Sequence, residues 1–196
     1  MDRDEERLAR AHETPIVGGL PEAPGIRVAM LLTPGLGVHL RGLADELLVN
    51  DYPGATIDRV DRELIATAVS AANDCFFCMD SHGAHAAALM TRDGGGARMP
   101  VIDVIKGGAS DGLDPKLGAL VSIARTVRRA PRELAEADVE AAIAAGATDG
   151  DVQLAVLIAA GFSMYNRLVD GFRARTPASL EPYLGRAAEI AERGYS

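Results

Sequence analysis

The sequence contains no tryptophan, and its 196 residues include only four phenylalanines and four tyrosines. Strands draw on aromatic and β-branched residues, whereas the apolar stretches here are dominated by alanine, the best helix former. That scarcity argues against a sheet protein and for close-packed helices. Cysteine is nearly absent too: there are two, both in one short motif, which excludes a disulfide framework. In a reducing compartment such a pair points to catalysis or metal binding rather than to a structural staple. No basic cluster is present. Lys and Arg total 20 against 28 Asp and Glu, for a net charge of −8, and the longest basic run is Arg128-Arg129. An acidic, patch-free chain argues against nucleic acid or an anionic membrane as its main partner. The opening Met1-Asp-Arg-Asp-Glu-Glu-Arg lacks the apolar core of a secretory signal. No stretch is expected to approach the roughly 20 apolar residues of a membrane span. The expectation is a cytoplasmic protein.

What is present is apolar residue at helical spacing. With 48% hydrophobic residues the chain can bury a core, and a single domain over 26–196 is expected. Residues 1–25 are polar and broken by Pro15, Gly18, Gly19, Pro21, Pro24 and Gly25, the pattern of a flexible lead-in. Helices are expected over 26–32, 37–50, 58–72 and about 75–91, with a short apolar segment at 101–105. Further helices follow at 117–127, opened by Asp114-Pro115, and at 137–145, closed by Gly146. Thr148-Asp-Gly-Asp reads as a capping box for a long helix over 152–172, and 179–192 is amphipathic. The fold class is all-α, a bundle of roughly seven or eight helices.

Chemistry concentrates between Glu63 and His85. Asp74 reads as the N-cap of a helix carrying Cys75 in its first turn and Cys78 in its second. Free amides and the helix dipole there favour thiolate, and the spacing allows the two cysteines to close a disulfide. His82 lies one turn beyond Cys78 on the same face, where a neutral imidazole can take the thiol proton. If the break at Asn73-Asp74 folds two helices against each other, Glu63 meets the His82 end and orients that ring.

Blander alternatives stand beside this. Two cysteines in an alanine-rich helix can be small buried hydrophobes. Cys75, Cys78, His82 and His85 also form a Cys2His2 set, but all four fall on one stripe of one helix, whereas zinc draws ligands from separate elements. Glu63, crowded by Asp58, Asp61 and Arg62, can be an ordinary solvated charge. His85 reads as pocket-lining or interfacial, His12 and His39 as surface groups, and Phe76, Phe77 and Met79 as core or pocket wall. No chemistry attaches to Asn166-Arg167.

The spacing of Glu63, Cys75, Cys78 and His82 resembles the AhpD-like core of the carboxymuconolactone decarboxylase superfamily. Arg62-Glu-Leu-Ile-Ala before the pair and Asp114-Pro-Lys-Leu-Gly-Ala-Leu after it fit the same pattern, and the likeness spans roughly 26–175. AhpD itself carries a histidine immediately before the second cysteine, where this chain has Phe77, so the resemblance is to the broader peroxidase-related branch. It implies an AhpD-like helical bundle and a thiol peroxidase or alkylhydroperoxidase. By that resemblance Cys78 is peroxidatic, Cys75 resolving, and His82 and Glu63 the proton relay. The expected partners are a hydroperoxide substrate and an external dithiol or thiol-protein reductant, with no cofactor and no metal. Rival readings are a redox switch, a metal-binding helical protein, and a carboxymuconolactone decarboxylase-like enzyme. Relatives of this kind are homo-oligomers, and Ala-rich faces leave apolar surface to cover. A homo-oligomer is therefore expected, with 152–172 contributing to its interface.

Overall fold

The structure, a computed structural model, describes residues 3–196. Among them are ten α-helices and no strand: α1 (Arg3–Ala11), α2 (Arg27–Leu32), α3 (Pro34–Leu48), α4 (Arg59–Ala72), α5 (Phe76–Arg92), α6 (Pro100–Lys106), α7 (Pro115–Arg129), α8 (Glu136–Ala144), α9 (Asp149–Gly171) and α10 (Glu181–Arg193). The all-α expectation holds, but the count of seven or eight is too low. The two additional helices are α1 and α6. α1 has no apolar stripe to betray it. Acidic Asp4, Glu5 and Glu6 fill its first turn and Arg10 its last, the order that complements the helix dipole. It docks through charge, with Arg7 2.7 Å from the buried carboxylate of Asp80. α6 is a seven-residue helix opened by Pro100, too short to show a period.

The core sits where α4 packs against α5, α7 and α9. Eleven consecutive or near-consecutive α4 residues, from Val60 to Ala71, are buried. Ala66, Ala68 and Ser70 leave room for neighbouring helices to approach on several sides at once. α9 supplies Leu154, Ala155, Ile158, Ala159 and Phe162, all essentially inaccessible, at the spacing that builds one helical stripe. Contrary to the sequence expectation, α9 is long and apolar enough to cross a membrane by length and composition. Its burial against α4 and α7 accounts for that apolarity.

Two joints set the geometry of the site. At the start of α9, Thr148 and Asp151 form the expected capping box. Asp151 also accepts from the Thr56 and Ile57 amides at 2.6 and 2.9 Å and pairs with Lys116 at 2.7 Å. This ties the loop before α4 to α9. The hydrogen bonds and the lysine outweigh the cost of burial and hold the Asp151 carboxyl far below the usual range.

The second joint is the corner between α4 and α5. Asn73 ends α4, and Asp74 takes the left-handed conformation at φ 55°. This side chain is therefore not the N-cap; Cys75 itself occupies that position, with no side-chain cap bond. Asn166 of α9 holds the corner, donating to Ser70 Oγ at 3.1 Å and accepting from Asn73 Nδ2 at 2.8 Å. Arg128 donates to Asn73 Oδ1 at 2.6 Å. α5 thus folds back along α4, bringing residues on either side of the turn face to face.

Candidate active site

Glu63 is fully buried on α4. One carboxylate oxygen, Oε2, lies 2.6 Å from His82 Nδ1 of α5. The other, Oε1, accepts from the Tyr195 hydroxyl at 2.6 Å. Burial pushes the Glu63 carboxyl up, but its pairing and hydrogen bond with His82, with a smaller contribution from nearby His85, outweigh it and hold it at about 2. An ionised carboxylate only accepts, so Nδ1 of His82 carries its proton toward Glu63 and Nε2 is left for the cavity side.

His85, one turn on, places Nδ1 2.9 Å from the same Tyr195 oxygen and Nε2 3.5 Å from Ser81 Oγ. Tyr195 gives its single proton to Glu63, so His85 Nδ1 is the donor to the phenol oxygen. Burial lowers the His85 pKa, opposed by Glu63, and raises that of Tyr195, reinforced by the Glu63 charge. Both groups are thereby kept neutral. Phe162 stands edge-on against the His82 ring at 4.5 Å and limits its rotation.

Cys75 and Cys78 are free, buried thiols lying 3.5 Å apart. The Cys75 thiol is pushed well up, first by its hydrogen bond to Cys78 and then by burial. The helix-start effect expected to favour thiolate does not prevail at Cys75. Behind Cys75 lies Asp170, whose carboxyl burial raises to about 6, while Arg10 and a hydrogen bond with Cys75 oppose the rise.

A cavity of about 460 Å3 opens onto this group. Cys78, Ser81, His82, His85 and Tyr195 line it, among apolar walls that include Ile26, Met30, Phe77 and Phe162. Glu63, His82 and His85 each offer a ligand atom, all within 4.8 Å of one another, and among the described residues they are the group able to hold a cation. The cysteines are not part of that group, so the structure does not assemble the Cys2His2 set.

Residues 41–93 match the model of the Carboxymuconolactone decarboxylase family, a span containing Glu63, Cys75, Cys78 and His82. Among solved structures, an uncharacterised peroxidase-related protein from Ralstonia eutropha JMP134, described as an alkylhydroperoxidase AhpD core, is similar with a TM-score of 0.68 and 25% identity. The match covers 85% of this chain and 82% of that one. By its fold the chain is similar to AhpD-core proteins, and within it residues 41–93 carry the carboxymuconolactone decarboxylase pattern. An uncharacterised peroxidase-related protein from Silicibacter sp. TM1040 shares the fold at the same TM-score of 0.68 and 22% identity, covering 89% and 94% of the two chains. No curated protein matches the chain.

In this AhpD-like fold the four residues singled out from sequence lie in one neighbourhood. Glu63 contacts His82, and Cys78 and His82 share the cavity. Cys75 lies behind Cys78, toward Asp170. Glu63 is not a solvated helix charge. His85 lines the cavity, while His12 and His39 are exposed. Tyr195, Phe162 and Asn166 were not legible as site residues. Each comes from far along the chain, and only the fold brings it to the cysteines.

Proposed function

We propose that the chain is a thiol-dependent peroxidase that reduces organic hydroperoxides through Cys78, with Cys75 resolving. The observation carrying this reading is that Cys78 and an imidazole anchored to a buried carboxylate at 2.6 Å line one apolar cavity, with a second thiol 3.5 Å from Cys78 behind it. The likeness to peroxidase-related proteins supports the general class.

In this mechanism His82 Nε2 takes the Cys78 proton, directly or through water, while Glu63 stabilises the imidazolium. The Cys78 thiolate attacks the terminal peroxide oxygen. An S–O bond forms, the O–O bond breaks, and the departing alkoxide takes the proton from His82 and leaves as alcohol. Cys78 is now a sulfenic acid. Cys75 gives up its proton and attacks the Cys78 sulfur; hydroxide departs with that proton as water, and the disulfide is made. An external dithiol returns two electrons and two protons by thiol–disulfide exchange. Phe162 and the other apolar walls shield the sulfenic acid from competing thiols.

The test is single turnover. One equivalent of hydroperoxide should yield one of alcohol and an intact mass lower by two hydrogens, restored by dithiothreitol. Persistent free thiols at both positions would refute the reading.

One observation favours a second reading, the cluster of Glu63, His82 and His85. It would make the protein a cation-binding one, and elemental analysis of the purified chain decides. Against it, both Glu63 oxygens already accept short hydrogen bonds. We also propose a cytoplasmic homo-oligomer. Leu31, Leu32, Leu36, Val38 and Leu43 of α2 and α3 are exposed, as are Leu157 and Met164 of α9, and a second copy is the economical cover. A light-scattering mass of 20.5 kDa at micromolar concentration would overturn assembly.

A further inference from the structure

The charge at the cavity is opposite to that of the protein. The whole chain carries −8, yet the charged side chains lining the cavity, apart from its histidines, are Arg27, Arg41, Arg186 and Glu189. Arg186 and Glu189 are paired with each other at 2.6 Å. Among the described residues no carboxylate pairs with Arg27 or Arg41. These two arginines come from different helices, α2 and α3, and both line the one cavity. An opening walled by low-dielectric side chains concentrates such a field, and a guanidinium fork matches a carboxylate.

The apolar walls are Ile26, Met30, Leu31, Phe77, Phe162 and Ile190. A cavity of about 460 Å3 falls in the range of roughly 300–1,000 Å3 that holds organic ligands of some size. Hydrogen peroxide needs neither that volume nor those walls. A hydrocarbon with a charged end uses both.

We propose that the substrate class is an amphipathic carboxylate hydroperoxide of the fatty-acid type. Its hydrocarbon lies along the apolar walls, its hydroperoxide reaches Cys78, and its carboxylate pairs with Arg27 and Arg41. This rests on the peroxidase reading above and narrows it.

The experiment compares linoleic acid hydroperoxide with its methyl ester, below their micelle concentrations, using wild type and the Arg27→Gln/Arg41→Gln variant. A salt bridge of this exposure is modest, so the acid should be preferred about tenfold in kcat/KM, mainly through KM and less so at high salt. In the variant the ratio should fall toward one. Equal rates for acid and ester in wild type would overturn the substrate class while leaving the peroxidase in place. If neither compound nor cumene hydroperoxide is consumed, the peroxidase reading fails. Calorimetry with unoxidised linoleate then decides the site alone: binding that the double variant loses supports it, and no binding overturns it.

Discussion

The Tyr195 hydroxyl donates a 2.6 Å hydrogen bond to Glu63 across 132 positions of sequence. The bond gives the buried carboxylate a second donor besides His82, and it links His85 to the same group. Tyr195 is itself held in place, its amide donating to Asp45 Oδ1 at 2.6 Å. Tyr195→Phe keeps the ring and removes this link. A hydrogen bond to a charged group contributes about 1.5–3 kcal/mol, so kcat should fall about tenfold or more with KM little changed. The pH profile of kcat/KM should shift, which lost packing alone would not produce. An unaltered profile and rate would make Tyr195 mere wall.

Glu63→Gln and His82→Ala address the relay itself. General base catalysis contributes about 10²–10⁴-fold, and each variant should lose at least the lower figure in peroxide reduction while retaining its helical circular dichroism. Wild-type rates in both would reduce the relay to a structural contact.

How far the text of the chain reveals the site can be seen residue by residue. Glu63, Cys75, Cys78 and His82 are legible because they lie on two successive helices, where spacing along the chain translates into distance in space. The Thr148–Asp151 box is legible for the same reason, being local. Asp74 misleads: its identity suits an N-cap, but the corner demands a left-handed residue there, and Asn166 and Arg128, neither visible as partners beforehand, hold that corner. α1 escapes detection because periodicity registers apolar faces, and α1 docks by the ion pair of Arg7 with Asp80. Tyr195 carries no local signal at all. Its role exists only once α10 has returned the chain to α5.

Asp170 provides the pH test. Burial raises its carboxyl to about 6, above the usual 3.9 or so of the unfolded chain. The folded state therefore holds this proton longer, and the group destabilises the fold progressively as pH rises from about 4 to 6. Asp170→Asn should match wild type in melting temperature below pH 4 and exceed it above pH 6. Beside Cys75, the ionised carboxylate also accepts the proton that the resolving thiol must lose. In the variant, sulfenic acid trapped by dimedone after a pulse of peroxide should accumulate, and wild-type resolution should quicken as pH passes about 6. Identical trapping in both proteins would remove Asp170 from the resolving step.

Gly150 tests the joint that holds α9 to the loop before α4. A Cβ there would lie 2.4 Å from the Gly54 carbonyl carbon and 2.5 Å from the Ala55 nitrogen, both backbone atoms with nowhere to go. Gly150→Ala should cost about 1–3 kcal/mol in denaturant unfolding. A neutral effect would show that the loop yields freely.

The central claim is that Cys78 breaks the O–O bond and Cys75 resolves the product. Steady-state hydroperoxide consumption with a dithiol donor, measured on wild type, Cys78→Ser and Cys75→Ser, tests it most directly. Wild type should turn over continuously and Cys78→Ser not at all, while Cys75→Ser should consume one equivalent rapidly and then stall as the sulfenic acid. Undiminished turnover by Cys78→Ser would contradict the account.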